Sequence, residues 1–257
     1  MIHAAACLLV AALMPVDDKD DLGSAVKKFT DAKSYSFKGQ LTLTVPGRNA
    51  DTPAAAPTPT AFEGKFAEDV GLVVQTEQDE IVRIDGKTAI RPKAVWRVLD
   101  DGGARGNRGP GQQAMFAGRG GAGMFARAPR EELAGLDGKL EKVSKTDKKE
   151  TVGEAECTVF EVSFSQEGAR SFSGAGGRPG AGGNNNNPNA QVEISASGHF
   201  WLTSDGHLAR YEISSKVSRN FNNRDFTTST SRTVSLFDVD KTKVELPAGA
   251  KEAIGQK

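Results

Sequence analysis

Tyr35-Ser36-Phe37-Lys38-Gly39-Gln40-Leu41-Thr42-Leu43-Thr44-Val45 is the stretch that decides the fold. Tyr35, Phe37, Gly39, Leu41, Leu43 and Val45 alternate with Ser36, Lys38, Gln40, Thr42 and Thr44. A period of two puts the first set on a buried face and the second in water, so this is a half-buried β-strand. Pro46 and Gly47 end it, and a Pro/Ala/Thr loop follows from Thr52 to Thr60. Before it, Leu22, Ala25, Val26, Phe29 and Ala32 have helical spacing, with Asp20 or Asp21 as an N-cap.

Strand patterns continue outward from this core. Phe62 to Ala67, Gly71 to Thr76, Glu80 to Asp85, Thr88 to Arg91 and Val95 to Asp100 are short strands, with Asp85-Gly86 as a hairpin turn and Trp96 inside the last. No long helix fits between them, so the pairing is antiparallel. Pro129 to Leu136 reads as a short helix. Leu140 to Thr146 and Glu156 to Ser165 resume the strands, with Asp147 to Glu154 as the turn region. Val192-Ile194-Ala196, Phe200-Trp201-Leu202, Leu208 to Ile213, Thr227 to Val239 and Lys243 to Leu246 complete the set, and Ala248 to Ile254 forms a terminal helical turn. A two-residue Asp205-Gly206 loop sets Trp201 opposite Arg210 and Phe200 opposite Tyr211. The expected fold is mainly β with few helices: one strongly curved antiparallel sheet, an open barrel of ten or eleven strands, with helices on its concave face.

Two glycine-rich inserts, 101–128 and 166–190, interrupt the pattern. Gly102 to Gly123 holds nine glycines, and the second insert carries four consecutive asparagines at 184–187. Such composition buries too little apolar surface to offset its ordering entropy, so both are expected to be mobile. The remainder of 17–257 reads as one domain, and 257 residues is within reach of a single β architecture.

Residues 1–16 read as a signal peptide. Ala4 to Met14 is an apolar run of eleven residues, a signal-peptide core too short to span a bilayer. Met1-Ile2-His3 carries no Lys or Arg, and Cys7 sits inside the run rather than after it, which argues against lipidation. The expectation is a non-lipidated protein exported to the periplasm or beyond, with no transmembrane span. Thirty-three basic and thirty-three acidic residues cancel, which excludes a globally basic nucleic-acid binder. Two cysteines exclude a disulfide-rich scaffold and a four-cysteine zinc site. Cys157, flanked by Glu156 and Thr158 in a strand, reads as a buried inert thiol.

Motifs that carry chemistry fail on inspection. Gly86-Lys87-Thr88 imitates the end of a P-loop, but Ile81 occupies the place of its first glycine. Asp238, Asp240 and Thr242 begin like a calcium loop, yet Lys243 and Gly249 stand where its Gly and Glu are required. Ser24 and Lys27 have Ser-x-x-Lys spacing at a helix start, with no supporting motif. His199 and His207 flank one hairpin without a third ligand. The chain is therefore read as a non-enzyme without cofactor or metal. In the first insert Arg105, Arg108 and Arg119 lie among glycines; a solvated segment or a contact with an anionic surface fits better than RNA, because aromatic interleaving is limited to Phe116 and Phe125.

The order of the elements resembles the LolA-like family of periplasmic lipoprotein carriers and related envelope proteins, built as an open β-barrel with a helical lid. The resemblance is carried by the helix at Leu22–Lys33 before Tyr35–Val45, by Ala94-Val95-Trp96-Arg97, by the hairpin from Lys149 to Phe160, by Phe200 to Glu212 and by Val244-Glu245-Leu246-Pro247. It covers about two-thirds of the chain, and the glycine-rich inserts depart from it. Carriers of this family hold the lid with an arginine in an early strand; here Lys38 and Lys65 are the basic residues of the first two strands, and neither matches that motif.

The resemblance implies an envelope protein that binds an apolar ligand, a lipid or the acyl chains of an acylated protein, between sheet and helices. Candidate lining residues are Phe37, Leu41, Leu43, Phe62, Phe66, Trp96, Phe160, Phe164, Trp201 and Tyr211. The same residue types also fill a solid core, so the alternative is a structural or sensory envelope module that binds a protein or polymer partner.

Overall fold

The computed structural model describes residues 17–44, 57, 59–92, 94–99, 122–173, 192–221 and 224–255. The expected signal segment 1–16, most of both glycine-rich inserts, and Arg105, Arg108 and Arg119 lie outside the described residues.

Helix α1 (Asp18–Thr30) precedes strand β1 (Ser34–Thr44). Its N-cap is Asp17 rather than Asp20 or Asp21: the Asp17 carboxylate accepts from the Lys19 amide, and Asp18, Asp20 and Asp21 then occupy the first turn, where the helix dipole favours negative charge. A meander follows: β2 (Pro59–Ala67), β3 (Gly71–Thr76), β4 (Asp79–Ile84), β5 (Lys87–Pro92) and the three-residue β6 (Arg97–Leu99). Asp85 and Gly86 both have positive φ, 49° and 76°, and join Ile84 to its partner Lys87 as a type I′ turn. Two short helices, α2 (Ala122–Phe125) and α3 (Pro129–Leu133), lead through a 3₁₀ turn at Asp137–Lys139 into β7 (Leu140–Val152) and β8 (Ala155–Phe164). Helix α4 (Gln166–Phe172) comes next, then β9 (Val192–Thr203), β10 (Leu208–Phe221), β11 (Arg224–Phe237) and the short α5 (Ala250–Ile254).

The eleven strands form one antiparallel sheet in the order β6-β5-β4-β3-β2-β1-β11-β10-β9-β8-β7, which does not close. β4 and β8 are seven places apart in that order. In a flat sheet they would lie about 34 Å from each other. Instead Ile81 of β4 and Phe160 of β8 belong to one continuous apolar cluster, bridged by Leu22, Val26 and Phe29 of α1 and by Phe125, Leu133 and Leu136 around α2 and α3. The sheet is therefore curved, with α1 to α4 on the inside. Both edges are guarded: β6 is very short, and β7 carries Lys142, Lys145, Lys148 and Lys149.

Four local expectations change. β7 runs to Val152 because a bulge between Lys145 and Lys149 absorbs the polar stretch that resembles a turn, and the turn itself is Gly153-Glu154, with Gly153 at φ 64°. The ends of both expected inserts are helical, as α2 and α4. Trp96 precedes β6 rather than lying within it. Lys243–Leu246 is not a strand but part of an extended segment that crosses the outer face, tied by the Ser36–Thr242 hydroxyl pair at 2.9 Å and by Trp96 Nε1 donating to Ala248 O at 3.0 Å. The segment delivers α5 to Val82 and Ala89 on that outer face, so α5, unlike the other helices, packs outside.

Candidate functional site

The inner face is set by alternation. Tyr35, Phe37 and Leu41 of β1 point inward, and so do Phe62 and Phe66 of β2 and Val234 and Leu236 of β11. The Arg232 side chain follows the same alternation, between Leu41 on β1 and Ile213 on β10, its register partners. It is thus a cation on an otherwise apolar face.

Arg232 and its partners tie the helices to the sheet. Its Nη1 donates to Met124 O at 2.9 Å and its Nη2 to Arg127 O at 3.5 Å, while Nε lies 3.4 Å from Glu132 Oε2. The guanidinium sits over the Phe62 ring, 5.1 Å from its centre. Tyr211 Oη donates to the same Glu132 oxygen at 2.6 Å, and Tyr35 Oη accepts from the Arg130 amide at 3.2 Å. The Arg232 and Glu132 side chains are only 8% and 10% exposed. Burial opposes the Arg232 charge, but Glu132 and the two tyrosine hydroxyls outweigh it and hold the guanidinium more firmly protonated than usual. Burial raises the Tyr211 hydroxyl well above its ordinary range, and Glu132 adds to the effect. Tyr35 is also raised, again by burial first. In the middle of α3, Glu131 pairs with Arg83 of β4.

The centre of the inner face is filled: Tyr35, Phe37, Phe200, Tyr211, Leu22, Leu133 and Leu136 are at most 1% exposed. Space remains at the rims. A cavity of about 280 Å³ opens between sheet and helices, walled by Leu41, Ile213, Met124 and Phe172, with Arg232 and Glu132 at its polar end. A cleft of about 410 Å³ opens at the opposite rim, between α1 and β7–β9. A larger groove, about 890 Å³, lies on the outer face between β1–β3 and the segment after β11; its rim mixes Lys38, Lys65 and Lys243 with Glu63 and Glu245.

The ten candidate lining residues divide accordingly. Phe37, Leu41, Phe62, Phe160, Phe164 and Tyr211 join the inner cluster, and Phe66 packs against it. Of these, Leu41 borders the 280 Å³ cavity. Leu43 follows the inward alternation of β1 but is only half-buried. Trp96 and Trp201 are elsewhere. Trp96 packs with Val82, Ala250 and Ile254 outside the sheet. Trp201 packs with Cys157 and Val159 on the outer face, where Arg210 covers its ring at 4.6 Å and Glu150 accepts from its Nε1 at 2.8 Å. Burial pushes the Cys157 thiol up, as expected for an unreactive cysteine. His199 lies 4.0 Å from Glu161 and His207 3.4 Å from Asp205. Among the described residues no group of three or more His, Cys, Asp or Glu side chains is placed to hold a metal ion.

Sequence reasoning missed Arg232, Glu132, Met124 and Phe172. The signal for Arg232 was present: Arg232, Val234 and Leu236 alternate, so the arginine shares the inward face. No helix among the described residues is long and apolar enough to cross a membrane.

No family model matches the chain, and no curated protein matches it in sequence. Among solved structures the chain is similar to the Mycobacterium tuberculosis lipoprotein LppX, at 9% identity with a TM-score of 0.47, over 88% of this chain and 97% of that one. It is also similar to LprF from Mycobacterium bovis, at 8% identity with a TM-score of 0.42, over 90% of this chain and 95% of that one.

Proposed function

We propose that this protein is an exported envelope protein that binds an apolar ligand, a lipid or the acyl chains of an acylated protein, between its curved sheet and α2–α4. The observation that carries this reading is the cavity walled by Leu41, Ile213, Met124 and Phe172, beside the Arg232–Glu132 contact that ties helices to sheet. Its 280 Å³ falls just below the usual range of roughly 300–1,000 Å³ for ligand pockets. A full acyl chain therefore needs α2 and α3 to move away from the sheet, and breaking the Arg232 contacts is the step that allows it. Each buried methylene contributes about 0.8 kcal/mol, so several suffice to offset a few lost hydrogen bonds. The apolar run at Ala4–Met14 supports export.

Mass spectrometry of organic extracts of protein purified from its native host tests this reading. Co-purifying lipid is expected, and its repeated absence overturns the proposal. The filled centre of the inner face favours a second reading, in which the same fold is a solid structural or sensory module. Absence of lipid together with capture of a defined envelope partner is the result that supports it.

A further inference from the structure

The 410 Å³ cleft between α1 and β7–β9 has the chemistry of an anion site. Three lysines line it from two elements: Lys28 from α1, and Lys145 and Lys149 from either side of the β7 bulge. Each ammonium group sits against the cleft wall. Lys28 Nζ lies beside Gly206, within 3.5 Å of where a β-carbon would stand. Lys145 Nζ lies 5.9 Å from the centre of the Phe160 ring, and Lys149 Nζ donates to Thr158 Oγ1 at 2.8 Å. Among the described residues Lys28 and Lys145 make no ion pair, and Lys149 is 4.0 Å from Glu156. Ser24 and Ser204 add hydroxyl donors; Asp21 lines the cleft, Asp18 beside it accepts from the Lys145 amide at 2.9 Å, and the Asp205 carboxyl is held low by the Thr203 hydroxyl and in part by Lys28. The floor is apolar, formed by Phe160 and Leu202, which belong to the inner cluster.

The geometry points to a binding site for a phosphate group in this cleft, held by Lys28, Lys145 and Lys149 over a floor of Phe160 and Leu202. Three cations with neighbouring hydroxyls match an anion that offers several acceptor oxygens. Proteins meet such a group on a phospholipid headgroup or as free phosphate. The apolar floor, continuous with the interior, favours the lipid: its headgroup stays at the lysine rim while a chain enters beneath α1. That lipid arm rests on the lipid-binding reading; the anion site itself does not.

Titration of the ¹⁵N-labelled full chain with inorganic phosphate, and separately with dihexanoyl phosphatidylglycerol below its micelle concentration, tests the site. Both are expected to shift the amides of Lys28, Lys145, Lys149 and Thr203–Gly206. A charge-assisted hydrogen bond contributes enough that each of K28Q, K145Q and K149Q weakens binding about tenfold. The triple variant abolishes it, while K65Q on the outer face leaves it unchanged. No shift at these amides, full affinity in the triple variant, or an equal loss in K65Q overturns the proposal. Tighter binding of the phospholipid with added shifts at Phe160 and Leu202 assigns the site to a lipid headgroup; equal affinities support the anion site and overturn the lipid arm. An uncharged probe, monohexanoylglycerol, is titrated in parallel. Shifts confined to Leu41, Met124 and Phe172 report on the lipid-binding reading independently of the lysines.

Discussion

Tyr211 on β10 donates a 2.6 Å hydrogen bond to Glu132 of α3, from the sheet to the helices packed on it. Both groups are buried, so the carboxylate depends on protein donors rather than water. Tyr211→Phe keeps the ring and removes only the donor. Leaving a buried charged acceptor one donor short costs about 1–3 kcal/mol. Urea denaturation is expected to show that loss with an unchanged slope. A change within about 0.5 kcal/mol, the level of a surface substitution, counts against a structural role for the contact.

The Arg232–Glu132 pair makes a sharper prediction because each partner neutralises the other in a dry setting. Arg232→Met leaves Glu132 buried without its cation, which costs about 3–5 kcal/mol. It also frees the Met124 and Arg127 carbonyls that Arg232 now satisfies. Adding Glu132→Leu removes the orphaned charge, so the double variant is expected to be more stable than Arg232→Met alone. A double-mutant cycle measures the coupling directly. Amide exchange should also quicken around residues 124–133 in the single variant while the strands stay protected. Uniform acceleration across sheet and helices contradicts the idea that this contact ties one to the other.

The chain contains two tyrosines, Tyr35 and Tyr211, and burial raises the hydroxyl of each above its ordinary value of 10. Below about pH 10 folded and unfolded chains both keep these protons, so the pair makes stability neither rise nor fall with pH. Above it the unfolded chain ionises and the folded chain does not. Stability then falls with rising pH, by up to about 2.7 kcal/mol per unit for two groups. The ultraviolet absorbance of tyrosinate should therefore appear together with loss of the circular-dichroism signal. Tyrosinate forming in a chain that is still folded contradicts the burial described above.

The β character was legible wherever one face is wet and the other dry. Tyr35–Leu43 follows from alternation; the Trp201–Arg210 pairing expected from a two-residue Asp205-Gly206 loop is present, but the hairpin reaches it through a bulge between Leu208 and Arg210 rather than through such a loop. The sides taken by the tryptophans were harder to read. Phe200-Trp201-Leu202 is a continuous apolar run, and in a strand the middle residue must face away from its neighbours. Phe200 and Leu202 take the interior, so Trp201 goes outside, sheltered by Arg210 and Glu150. Hydrophobicity alone suggests all three point inward; the pleat forbids it. Trp96 is half-buried, covered by a segment 152 residues later in the chain, where its Nε1 donates to Ala248 O, a contact no local pattern encodes. Arg232 was overlooked because a cation on an inward position is unfavourable until Glu132 and the helix carbonyls are brought to it.

That division of the tryptophans has an experimental consequence. Trp96 and Trp201 are the two tryptophans of the chain, and both lie on the outer face. A ligand entering between sheet and helices should leave the native emission nearly unchanged. Phe172→Trp places a reporter at the cavity wall, against Phe164, whose ring centre is 4.7 Å from that of Phe172. Its emission is expected to shift to the blue on addition of a fatty acid. A shift in the wild-type protein of the same size places the ligand on the outer face instead.

On the inner face of β1 and β2, aromatic rings lie close over glycines of the neighbouring strand. Phe37 on β1 stands opposite Gly64 on β2, and Phe62 opposite Gly39. A β-carbon on Gly64 would stand 2.3 Å from Phe37 Cζ and 2.7 Å from the Val73 carbonyl oxygen. The second contact is with backbone, so rotating the ring does not relieve it. Gly64→Ala is therefore expected to cost about 1–3 kcal/mol, the range for overpacking an interior site. Gly138, in the 3₁₀ turn, is the matched control: a β-carbon there meets nothing within 4 Å and φ is not positive. Gly138→Ala should leave the thermal midpoint unchanged or slightly raised, because the added methyl restricts the unfolded chain. Equal losses at the two positions would mean that the Gly64 site does not depend on room beside the Phe37 ring and the Val73 carbonyl, and the close-packing account would then fail.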